Sequence, residues 1–191
     1  MIKREKRMQI VYALEKLVQT KNLADITVKD VCNLSGVPRS TFYYYFCDIY
    51  SVPQWVWDDM MSTTLYRIGA GVTWDQGHRY MFNNILKHKA LFTKIYWEND
   101  NNSILEYGYR GGYAAIKRNV EVYKKHHWTK DELLELDYTV RALASLTTKW
   151  GRDGMIVPVE KMVYIFSTHI PPFLKELCDT KVAVTEFSSM R

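Results

Sequence analysis

The chain has 191 residues, 47% of them hydrophobic and 25% charged, a balance that excludes a disordered or collagen-like protein. Lys and Arg outnumber Asp and Glu by 26 to 21, a net charge of +5, which admits nucleic acid as a partner without requiring it. Three widely spaced cysteines, Cys32, Cys47 and Cys178, exclude a disulfide scaffold and a Cys-x-x-Cys metal or redox motif.

That cysteine usage fits a reducing, cytoplasmic setting. No apolar run reaches the roughly 18 residues of a membrane-spanning helix. The N-terminal stretch has neither the apolar centre nor the cleavage site of a signal peptide. Aromatic residues make up 14% of the chain and 14 of them are Tyr, an excess that asks for a use.

Helical periodicity begins early. Val11, Leu14, Leu17 and Val18 form one stripe of a helix expected over 4–21. Its leader, Lys3-Arg4-Glu5-Lys6-Arg7, either lies along phosphates or in a minor groove, as basic arms do, or is a solvated N-terminus. Further helices are expected at 27–34, 38–45, 48–70, 74–86, 88–97, 103–126, 130–153 and 159–178, with Pro171-Pro172 stopping or kinking the last. No strict polar–apolar alternation and no Asn-Gly or Asp-Gly hairpin signal occurs. The expected fold class is therefore all-α. The character of the sequence changes near residue 48, which divides a domain of residues 1–47 from a larger helical one of residues 48–191.

Residues 26–46 carry the most information. Thr27 followed by Asp30 reads as a capping box, with Asp in place of Glu. Val28, Val31 and Cys32 share one face of a helix of only two turns. Gly36 supplies the permissive backbone of a tight turn, and Pro38 suits the start of a new helix. Two short helices across such a turn make a helix-turn-helix. In the second, Val37, Phe42 and Phe46 turn inward, which leaves Arg39, Ser40, Thr41, Tyr43 and Tyr44 outside. That exposed set suits a major groove. Arg chelates guanine, Ser and Thr reach bases or phosphates, and Tyr hydroxyls hold the backbone. The plain alternative is a helical hairpin held by aromatic packing.

Thr27 to Val31, Ser35-Gly36-Val37 and Arg39 to Phe46 resemble, in order and spacing, the DNA-binding domain of TetR-type transcriptional regulators, over roughly residues 5–58. Tyr45 stands where that family usually has His, and Ile49 where many members have a phosphate-binding Lys. Cys47-Asp48-Ile49-Tyr50 with Trp55, and later Trp150 to Met155, Pro158 and Glu160-Lys161-Met162, are similar to a subgroup that includes regulators of dihydroxyacetone kinase operons. The resemblance implies that Thr27 and Lys29 meet phosphate or a groove edge. It also implies that Arg39, Ser40 and Thr41 read bases. Tyr43, Tyr44 and Tyr45 would contact the backbone, with Tyr44 packing on a thymine methyl.

Beyond residue 58 no motif names a chemistry. Trp55, Trp57, Tyr66, Trp74, Tyr80, Phe82, Phe92, Tyr96, Trp97, Tyr107, Tyr109, Tyr113 and Tyr123 crowd the middle helices, either as core or around a small-molecule cavity. The resemblance implies an effector pocket in this region, and Tyr66, Phe82, Tyr96, Tyr107 and Tyr113 are its candidate residues. Gly108, Gly111 and Gly112 lack the Lys-Ser/Thr end of a phosphate loop and read as a close helix crossing or a break. Five histidines show no metal-ligand spacing, and no catalytic constellation is present. No metal, cofactor or enzymatic activity is expected.

Wide apolar stripes run along 130–153 and 159–178 (Leu133, Leu136, Val140, Leu143, Leu146, Thr147 and Trp150, then Val159, Met162, Val163, Phe166, Ile170 and Leu177). A single helix-turn-helix reads too few base pairs, so two copies on half-sites about 34–36 Å apart are expected. The reading is a homodimer joined through these helices on a palindromic operator in double-stranded DNA, controlled by a small-molecule effector or a partner protein. Two rivals are an effector-free helix-turn-helix architectural protein and a small all-α enzyme.

Overall fold

The computed structural model describes residues 2–96 and 104–179, the side chains of Ile2 and Lys3 excepted. Trp97, one of the crowded aromatics, lies outside the described residues. Ten helices follow in order: α1 (Ile2–Leu17), α2 (Val28–Ser35), α3 (Arg39–Tyr45), α4 (Ser51–Met61), α5 (Trp74–Lys87), α6 (Lys89–Ile95), α7 (Ile104–Lys124), α8 (Lys130–Arg152), α9 (Val159–Thr168) and α10 (Pro172–Asp179). Short 3-10 turns occupy Leu23–Asp25 and Leu65–Arg67. Among the described residues there is no strand, only a lone bridge between Ile68 and Val72. The fold is all-α, as the periodicity requires.

Three helices start alike. Thr27, Thr73 and Thr129 each accept a hydrogen bond from the backbone N–H three residues on, and Asp30, Gln76 and Glu132 each bond back to the capping backbone. Such boxes satisfy N–H groups that have no partner within the helix.

Two expected helices are corrected. The helix expected at 48–70 is α4, which runs only from Ser51 to Met61. Asp48 accepts the Ser51 N–H at 2.8 Å and starts the helix later. Past its end, Gly69 and Gly71 take φ of +77° and +97°, a backbone that ends helical winding. The helix expected at 159–178 is two, α9 and α10, with the stop expected at Pro171-Pro172 between them.

The packing places α4 as the hinge of the architecture. It touches α1 on one side and α5, α6 and α7 on the other. Val52, Val56, Trp57 and Met61 on α4 are buried. One hydrophobic core runs without interruption from Ile10 on α1 to Cys178 on α10. Polar ties reinforce the junction: Arg4 on α1 pairs with Asp59 on α4 at 2.7 Å, and Glu15 on α1 meets His88, at the start of α6, at 2.5 Å.

Candidate DNA interface and effector cavity

The helix-turn-helix forms as its residues demand. Asp30 accepts the Thr27 N–H at 2.9 Å, and Thr27 accepts the Asp30 N–H at 3.1 Å. The Thr27 hydroxyl and backbone hold the Asp30 carboxyl below the usual carboxylate range. Gly36 closes α2 at φ +69°. The Val37 N–H then bonds to the Ser35 hydroxyl at 3.2 Å and tightens the turn.

Val37, Phe42 and Phe46 are buried. The rings of Phe42 and Phe46 are 5.7 Å apart, and Phe46 meets Trp55 of α4 edge-on at 6.1 Å. These contacts fix the rotation of α3 about its own axis and so decide which residues face out. Arg39, Ser40, Tyr43 and Tyr44 are exposed, while Thr41 and Tyr45 are half-buried. Arg39 and Tyr43, one turn apart, form a pair. The guanidinium donates to the phenol oxygen at 3.5 Å and lies 6.0 Å from the ring centre. Thr27 and Lys29 are exposed at the start of α2. Ile49 is buried and belongs to the core.

The candidate effector residues do not meet at one place. Tyr96 lines an interior cavity. Tyr66 and Tyr107 line a separate open groove, where both donate to Asp58, at 3.0 and 2.5 Å. Burial first, then Asp58, holds both phenols above their ordinary range, Tyr107 at about 12. Phe82 is wholly buried between Trp150 and Phe166. Tyr113 is half-buried beside Tyr109.

The interior cavity draws its walls from α4, α5, α7, α8 and α9. The cavity volume is about 40 Å³. A space of that kind accepts a water as it stands and a larger guest once side chains yield. Apart from His78, the lining carries no titratable side chain but Tyr96. His78 donates from Nδ1 to the Trp74 carbonyl at 2.8 Å, which leaves Nε2 with its lone pair. Burial pushes the imidazole down to about 4, so it is neutral.

Tyr96 is 2% exposed, and its hydroxyl has no hydrogen-bond partner among the described residues. Burial alone raises its phenol. Two glycines make room for the flat walls of the cavity. A Cβ on Gly108 would lie 3.0 Å from the Trp57 indole, and one on Gly151 would fall within the Tyr96 ring. Gly108 lies inside unbroken α7, so the glycine cluster marks a close crossing. Trp57 and His78 were not singled out as cavity residues from the sequence, because buried aromatic and His positions at helical spacing read equally well as core.

The apolar stripes expected on the last helices turn mostly inward. Leu136, Val140, Trp150, Met162, Val163 and Phe166 are buried. A different stripe of α8, Leu134, Tyr138, Ala142 and Ser145, is exposed, with Leu134 at 69% and Tyr138 at 73%. Ile156 and Val157 beyond α8, and Tyr164 on α9, are exposed too. Among the described residues no His, Cys, Asp or Glu cluster fits a metal ion, and no helix is long and apolar enough to cross a membrane.

Residues 72–171, more than half of the chain, match the family profile of a TetR-type transcriptional regulator C-terminal region. Two solved structures share the fold. The dihydroxyacetone kinase operon activator DhaS superposes with a TM-score of 0.61 at 16% identity, over 86% of this chain and 96% of that one. A TetR-family regulator from Syntrophomonas wolfei str. Goettingen superposes with a TM-score of 0.55 at 16% identity, over 92% of this chain and 95% of that one. No curated protein sequence matches the chain.

Proposed function

The chain belongs to the TetR family of transcriptional regulators, and from that membership we propose that it is a homodimeric regulator whose α3 enters the major groove of a palindromic operator and whose interior cavity takes the effector. The observation that carries the DNA reading is the orientation of α3. Its aromatic anchors are buried while Arg39 and Tyr43 stand exposed and paired. A guanidinium held beside a phenol is pre-oriented for a guanine edge, so less side-chain entropy is lost on docking. Ser40, Thr41 and Tyr44 would complete the reading face, and Thr27, Lys29 and Tyr45 would meet the flanking backbone.

Residues 1–47 act as the reading head in this proposal, and 48–191 as the sensing and dimerising part. Trp57 belongs at once to the cavity wall and to α4, which packs on α1. A guest that displaces Trp57 therefore bears on the placement of the reading head. It changes DNA affinity only as far as it binds the two placements unequally. The guest is expected to be uncharged, because the lining offers no ionised partner and burying a lone charge is costly.

The test is binding of the purified protein to duplex from its own upstream region and to a scrambled duplex, at two salt concentrations. Sequence-preferring binding that weakens with salt is expected. Arg39→Ala should cost about 1–3 kcal/mol of that binding and relax the preference. Tyr43→Ala should weaken it without unfolding the chain. No binding at low salt would overturn the reading.

A further inference from the structure

Arg7 lies on α1, outside the helix-turn-helix, yet its side chain reaches it. The guanidinium carbon is 5.1 Å from the centre of the Tyr45 ring, at the last residue of α3, and 5.4 Å from that of Trp55 on α4. Its Nε is buried and makes no hydrogen bond among the described residues. The side chain as a whole is half-buried. Among the described residues no carboxylate pairs with it. Its neighbour Arg4 differs, since it is exposed and committed to Asp59 at 2.7 Å. The basic leader is therefore not a uniform arm.

A guanidinium keeps its charge at any ordinary pH and carries five N–H donors. Two aromatic faces stabilise the charge, by about 1–2 kcal/mol each at most, but they accept none of those hydrogen bonds. A cation partly withdrawn from water and left without an anion attracts one more strongly than a solvated cation does, because the local dielectric is lower. The two rings also hold the side chain in place, so little further ordering is needed when an anion arrives. Tyr45 ends the helix proposed to enter the groove. With α3 in a groove, Arg7 at the far end of that helix would stand next to the flanking strand.

We infer that Arg7, clamped by Tyr45 and Trp55, is a binding seat for one DNA phosphodiester behind the recognition helix. This rests on the DNA-binding reading of α3. The seat positions the reading head and carries no base preference, since phosphate contacts fix register and not sequence.

The experiment compares the wild-type chain with Arg7→Met and Arg7→Lys on a labelled duplex, between about 50 and about 200 mM salt. Met keeps a stem that packs on the rings, and Lys keeps the charge. The seat predicts that Arg7→Met weakens binding roughly five- to tenfold on every duplex and lowers the salt slope by about one. Arg7→Lys should keep the slope. An unchanged slope in folded Arg7→Met would overturn the seat, and a purely structural role would lower the melting temperature and leave the slope alone. Should Arg7→Met not fold, hydroxyl-radical footprinting of the wild type decides. Tyr45 and Trp55 are expected to lose reactivity when duplex binds, and full reactivity of both would overturn the seat. Failure of the wild-type chain to bind any duplex is a distinct result, and it would remove the DNA reading itself.

Discussion

The Tyr96 hydroxyl is a polar group held in the interior with no partner among the described residues. A buried donor left unsatisfied costs the folded state about 1–3 kcal/mol. Tyr96→Phe removes that cost along with the hydroxyl and leaves the ring against Gly151. The empty variant is therefore expected to be more stable than the wild type, by about 1–3 kcal/mol, and to melt at a higher temperature. A guest that accepts a hydrogen bond should stabilise the wild type more than the variant. A variant that melts lower would mean that the hydroxyl already has a partner, and its role as a handle for the guest would fall. His78, in the same wall, ties stability to pH. Its folded value is pushed down to about 4 by burial, while the unfolded ring takes its proton near 6.5. Between those values the unfolded chain binds a proton that the folded chain refuses, so acid favours unfolding. The stability is complete above about pH 6.5 and drains as pH falls towards 4, by up to about 1.4 kcal/mol per unit. Urea melts at about pH 5 and about pH 7 should show this loss, and His78→Gln should flatten it. An equal loss in His78→Gln would place its origin elsewhere.

The turn between α2 and α3 is where one residue sets the aim of a whole helix. Gly36 sits at φ +69° with nothing within 4 Å of the position its Cβ would take. Gly36→Ala therefore meets no obstacle but backbone strain, about 1 kcal/mol. The expected result is a small drop in melting temperature with a larger loss of DNA affinity, because the angle between the two helices depends on that residue. Equal affinity in the variant would show that the turn tolerates a side chain without re-aiming α3. This part of the fold was legible in the sequence because its signals are local. Thr27 and Asp30 cap a helix three residues apart, Gly36 breaks it, and Phe42 and Phe46 lie one turn apart on the inner face. The extent of α4 was not legible. Residues 62–70 read as continued helix, yet α4 stops at Met61; Leu65 and Ile68 turn into the core through a separate 3-10 turn, and the left-handed backbone at Gly69 and Gly71 follows it.

The proposed dimer would be built on side chains that the subunit leaves uncovered. Leu134 and Tyr138 expose an apolar stripe on α8 that no described residue covers, and large exposed apolar patches mark contact surfaces. Light scattering on a gel-filtration column should give a dimer at micromolar protein. Leu134→Asp with Tyr138→Asp should give a folded monomer of unchanged helicity whose DNA affinity falls steeply, because one reading head retains only half of the site. A wild-type monomer under those conditions would overturn the dimer.

The sequence alone determined the all-α class, the helix-turn-helix and its outward face apart from Thr41, which is half-buried, because capping, turn chemistry and 3.6-residue periodicity act between residues close in the chain. It also carried the family resemblance through Thr27 to Phe46. Tertiary structure alone decided the rest. Tyr66 and Tyr107 meet at Asp58, Tyr96 faces a different space with Trp57 and His78, and Arg7 reaches Tyr45 and Trp55. Each of these sites joins residues from helices far apart in the chain. Their neighbours are set by how whole helices pack, and periodicity within one helix contains no information about which partner its buried face will meet.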